Sequence, residues 1–200
     1  METHHIKNSL LMLAIGEIIS LVITIIILSV RMSNNSASGW ISFLAIVALL
    51  LEFFAFIRLR PVNVEFKNAF VSVLVVLLFI LLEGIFGIVA LNNGGSWAAS
   101  LSSTCSVVNS IVSILTFVLA VRGCKLLLQD VCDNSFLNKV LYGYLIVTFI
   151  YVLLIITLSV PQVFDNDVSR ITLSAIAILA SSFTTLFALY ALFRTRQSLD

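Results

Sequence analysis

Six stretches of mostly apolar sequence, residues 9–30, 40–57, 69–91, 101–121, 140–160 and 171–193, are separated by short polar breaks. A helix needs roughly 20 apolar residues to cross a bilayer. In hydrocarbon every backbone N–H and C=O must be satisfied within the protein, which leaves only helices and closed barrels. Continuous apolar runs of this length are helical, because barrel strands are shorter and alternate in polarity. The expected fold is therefore all-α: an integral membrane protein of six transmembrane helices, forming one polytopic bundle over residues 1–200. Charged residues make up 10% of the chain, against about 25% in soluble domains, so a water-facing surface could not be covered. The net charge of +1 gives no indication of a nucleic-acid partner. The first run is longer than the apolar core of a secretory signal and contains Glu17, so it reads as a span.

The breaks are recognisable from their chemistry. Residues Arg31 to Gly39 are rich in Ser and Asn, Arg58 to Lys67 include Pro61, and Asn92-Asn93-Gly94-Gly95-Ser96 is a turn cluster. The longest connection runs from Arg122 to Lys139, and Pro161 to Arg170 holds Asp165 and Asp167. Within the longest, Lys125 to Val131 reads as an extension of the fourth helix or as an interfacial helix. Lysine and arginine orient a membrane chain. Nine of them flank the spans on the side of the termini, and only Arg31 and Arg170 lie on the other. Both termini are thus expected inside, with Trp40 and Trp97 at the outer interface. The expected location is a bacterial cytoplasmic membrane. Asn34-Asn35-Ser36 is a glycosylation sequon only if the source is eukaryotic.

The chain also carries the marks of three tandem helical hairpins. Lys7-Asn8, Lys67-Asn68 and Asn138-Lys139 open the odd-numbered spans, and Arg58, Arg122 and Arg194 close the even-numbered ones. Asn34-Asn35 precedes Trp40 as Asn92-Asn93 precedes Trp97. Basic inner flanks and aromatic belts would impose part of this pattern on any such protein.

Three carboxylates lie within spans: Glu17, Glu52 and Glu83. A charge near the bilayer centre costs about 2.5–3.5 kcal/mol on insertion scales, and such residues usually face the bundle interior beside a partner. No Lys, Arg or His lies within any span to serve as one. At about 1.5 Å per residue, Glu17 lies roughly 12 Å and Glu52 roughly 9 Å from the inner edge, whereas Glu83 lies roughly 21 Å in. Each acid sits in a seam with steps of three and four: Leu10, Leu13, Glu17, Ser20, Thr24; Ala45, Ala48, Glu52, Ala55; Ser72, Val76, Ile80, Glu83, Gly87, Ala90. Small and hydroxylated neighbours mark helix contacts, so all three acids are expected to point into the protein. The fourth span carries Ser102, Ser106, Asn109, Ser113, Thr116 and Ala120 in the same spacing, and the sixth carries Ser174, Ala177, Ser181, Thr184, Ala188 and Ala191. These seams serve either helix packing or the lining of a polar cavity. Asn109 favours a lining, since its amide needs up to about four partners.

Catalytic motifs are absent. There is no His-Glu-x-x-His, Gly-x-Ser-x-Gly, phosphate-binding glycine loop or intramembrane Asp pair. Cys105 has no histidine to activate it, and Cys124 and Cys132 suggest neither a disulfide nor a zinc site. Neither an enzyme nor a bound cofactor or metal is expected. Six helices in 200 residues is similar in size alone to the substrate-binding subunits of energy-coupling-factor vitamin importers, an analogy that would imply an ATPase partner. The leading expectation is a small transport protein, or the membrane subunit of a transport complex. It would bind a cation, proton or cationic substrate through Glu17, Glu52, Glu83 and Asn109. Besides lipid, its partners would be a membrane or ATPase subunit, or further copies of itself. The alternative is a non-transporting accessory, immunity or regulatory protein acting by helix packing.

Overall fold

The structure is a computed structural model that describes residues 3–32, 39–93, 96–129, 135–158 and 167–199. It is all-helical: α1 (Thr3–Met32), α2 (Gly39–Leu59), α3 (Val64–Asn93), α4 (Ser96–Leu127), α5 (Ser135–Leu158) and α6 (Asp167–Gln197). Helices α1, α3, α4, α5 and α6 contain described stretches long and apolar enough to cross a membrane, and α2 is mostly apolar along its 21 residues. Cys132, Asp165, the Asn34-Asn35-Ser36 sequon and Gly94-Gly95 lie outside the described residues.

Most helices run past the apolar stretches that announce them. Apolar windows locate hydrocarbon, whereas helical hydrogen bonding stops where a cap or a break stops it. Thus α3 begins at Val64, immediately after Asn63. The Asn63 Oδ1 accepts the Phe66 N–H at 3.0 Å, the position an N-cap side chain takes up. The same amide donates from Nδ2 to the Gly123 carbonyl at 2.9 Å, tying the start of α3 to the end of α4. Beside it Arg122 pairs with Glu65 at 2.8 Å. The long connection expected from Arg122 to Lys139 is correspondingly shorter. Helix α4 continues through Leu127, and α5 has already begun at Ser135.

The helices form a closed ring in chain order, with α6 returning to α1. Contact is broad within the pairs α1–α2, α3–α4 and α5–α6, and equally broad between α1 and α6. It is narrow between α2 and α3, and between α4 and its neighbours α5 and α6. Two glycines allow the close approaches. A Cβ at Gly123 would lie 2.7 Å from the Phe66 ring, and one at Gly143 would lie 2.7 Å from the Phe187 ring.

Buried apolar side chains gather at the end of the ring where the termini lie. Leu10, Leu59, Phe66, Val73, Leu128 and Leu137 are all at most 1% exposed there and belong to one cluster. Toward the other end, among the described residues, the only further cluster is a small one around Ala177. The outer surface is studded with exposed apolar side chains such as Leu81, Ile111, Ile146 and Phe149. Beside this apolar exterior, several hydroxyl side chains, among them Ser9, Ser174 and Thr195, are fully buried.

Candidate functional site

A cavity of about 370 Å³ occupies the middle of the ring, and all six helices line it. Its floor is the apolar cluster: Leu13, Phe56, Val73, Phe117, Val121 and Leu192 belong to both. Above the floor the wall is polar. Helix α1 contributes Glu17 and Ser20, and α2 contributes Glu52. From α4 come Asn109, Ser110, Ser113 and Thr116; from α5, Tyr144, Thr148 and Tyr151; from α6, Thr184.

Glu52 lies against α1 because α1 and α2 pack closely at Gly16. A Cβ there would lie 3.4 Å from the Ala48 carbonyl, 3.2 Å from Glu52 Cγ and 3.7 Å from Glu52 Oε1. The Glu52 side chain therefore lies across α1 beside the residue that precedes Glu17. The two acids are electrostatic neighbours, and the Tyr144 ring lies within the field of both. Among the described residues neither carboxyl joins an ion pair, and no Lys, Arg or His lines the cavity. Two like charges side by side in a low-dielectric interior repel strongly unless a proton or cation stands between them. Among the described residues no group of three or more His, Cys, Asp or Glu side chains could hold a metal ion.

The remaining polar groups divide into two kinds. Thr116 donates to its own helix at the Val112 carbonyl, 2.9 Å away, and Thr184 donates to the Ser181 carbonyl at 2.7 Å. Such hydroxyls are satisfied locally and demand nothing of the cavity. Asn109 differs, because its Oδ1 is buried and makes no hydrogen bond. Thr148 is 7% exposed; its Oγ1 lies near the Tyr144 hydroxyl, but no hydrogen bond of ordinary geometry joins them.

Glu17, Glu52 and Asn109 thus share one wall, and Glu83 is not part of it. Glu83 is half-buried on α3, where its backbone carbonyl accepts the Ser102 hydroxyl of α4 at 3.3 Å. Asn109 lies seven residues further along α4, roughly 10 Å closer to the end of the termini. The seams of the other helices also break in places. Ala45 and Ile80 are exposed, so the cavity-facing part of α2 starts after Ala45 and that of α3 ends at Val76. The contribution of α5 is absent from the sequence reading. Its signal is the spacing of Tyr144, Thr148 and Tyr151, four and then three residues apart, which places them on one helical face. Set against known protein families, curated proteins and solved structures, the chain matches none.

Proposed function

We propose that this chain is a membrane-embedded transport protein, or the membrane subunit of a transport complex, whose central cavity binds a cation or proton between Glu17 and Glu52. The observation that carries this reading is the pair of carboxyls, without a basic partner among the described residues, facing one cavity lined by every helix. Acids inside a bundle that lack a protein cation are the usual mark of a proton or cation path. The apolar outer surface and the five long apolar helices support insertion in a bilayer. Nine of the eleven basic residues flank the end that holds the termini, which favours a cytoplasmic position for that end.

Helix packing alone, as in an accessory protein, is the weaker reading. Packing seams close on themselves, whereas Asn109 and Thr148 leave buried acceptors beside open volume. Purified protein in proteoliposomes tests the assignment, with a pH-sensitive dye inside and Na⁺, K⁺ or an organic amine outside. External cation should exchange for internal protons, and Glu17→Gln or Glu52→Gln should slow exchange by at least about tenfold. Equal exchange by wild type and by well-folded Gln variants would remove the carboxyl pair from the function.

A further inference from the structure

We infer that the cavity takes an organic ammonium ion with an apolar body, its charged nitrogen between Glu17 and Glu52. This deepens, and rests on, the cation-binding reading above. The first argument is size. A water molecule takes up about 30 Å³ in the liquid, so a bare inorganic ion would leave most of the 370 Å³ unfilled. Pockets that bury whole small molecules begin at about 300 Å³.

The second argument is the chemistry of the wall. Phe56, Phe117, Tyr144 and Tyr151 line the same cavity as the two carboxyls. Phe117 and Tyr144 form a tilted stack, with ring centroids 3.8 Å apart and planes at 31°. Aromatic rings bury apolar surface and attract a cation to their faces. The Phe56 and Phe117 rings offer no oxygen ligand to a hard metal ion but suit the apolar part of an organic cation. Rings and carboxyls on one wall, with no basic side chain among the described residues, match a molecule that is apolar over most of its surface and positive at one point.

The third argument is the unpartnered acceptors. Asn109 Oδ1 is buried without a hydrogen bond, and Thr148, itself 7% exposed, has an Oγ1 without one of ordinary geometry. Both residues line the cavity. A buried acceptor left unpaired costs free energy. An ammonium group, with about three N–H donors, can serve one carboxyl, the other, and an amide oxygen together.

The test is equilibrium binding of radiolabelled phenethylammonium to the full chain in lipid nanodiscs at neutral pH, with 2-phenylethanol as its uncharged analogue. Saturable binding is expected, displaced by unlabelled phenethylammonium but not by equal concentrations of 2-phenylethanol, Na⁺ or K⁺. Glu17→Gln or Glu52→Gln should weaken it roughly thirtyfold, and Tyr144→Leu about threefold to tenfold. Glu83→Gln should leave it unchanged. The comparison of phenethylammonium with the alcohol uses wild type alone, so it does not depend on any variant folding. Absent saturable binding, equal displacement by the alcohol, or an equal loss in Glu83→Gln would overturn the inference. If phenethylammonium fails to bind while proton–Na⁺ exchange still depends on Glu17 and Glu52, the organic ligand is wrong and cation binding at the pair stands. If neither assay depends on the pair, both readings fall.

Discussion

The end of the ring that holds the termini and the cavity above it are built from the same six helices, yet they solve opposite problems. At the end, Phe66 is fully buried against Gly123, Asn63 caps α3, and Arg122 reaches Glu65. Large apolar side chains fill the space, and Asn63, Glu65 and Arg122 are paired, although Thr195 Oγ1 and Arg196 Nε are buried there without a hydrogen bond. In the cavity, Glu17, Glu52, Asn109 and Thr148 face open volume, and among the described residues neither carboxyl is paired with a base. One region is arranged for packing and the other against it. The difference teaches where stability and where binding reside, and substitutions can separate the two.

The largest effect should come from Phe66→Ala, which removes a ring that is 0% exposed. Thermal unfolding in detergent should show a loss of about 3 kcal/mol or more. Gly123→Ala comes next. Its Cβ would sit 2.7 Å from the Phe66 ring, and overpacking of this kind costs about 1–3 kcal/mol. Asn63→Ala removes both the cap on α3 and the bond to the Gly123 carbonyl. Its expected loss is about 1 kcal/mol in the same melt. The smallest change should come from Asn109→Leu. Removing an unpaired buried acceptor is close to neutral, or stabilising by up to about 1 kcal/mol. A Leu variant that melted as early as Phe66→Ala would break the comparison, since it would make the cavity wall part of the packed core.

The six helices are legible in the sequence because each is announced by a continuous apolar run of about 20 residues bounded by polar breaks. A run of apolar residues in hydrocarbon can do little but form a helix. Their ends are less legible. Nothing in an apolar window reports that Asn63 caps α3 or that α4 continues to Leu127. The inward faces of α1, α4 and α6 follow from small and hydroxylated residues at helical spacing. Helix α5 escapes that rule because Tyr144 and Tyr151 are neither small nor aliphatic hydroxyl residues, although both line the cavity. The separation of Glu83 from the other acids is legible in depth, since counting along the spans sets it roughly 10 Å further in; the contact of its backbone carbonyl with Ser102 of α4 is not.

The glycine at position 16 has a consequence for tolerance. Alanine is the better helix former by about 1 kcal/mol, so helical propensity alone would favour filling the position. Yet the added methyl would press on Glu52 Cγ at 3.2 Å and on the Ala48 carbonyl at 3.4 Å. A carbon that is absent from α1 therefore acts as a spacer for a charge on α2. Its size, and not the charge of any neighbour, sets how near the Glu52 carboxyl can stand to the helix that carries Glu17.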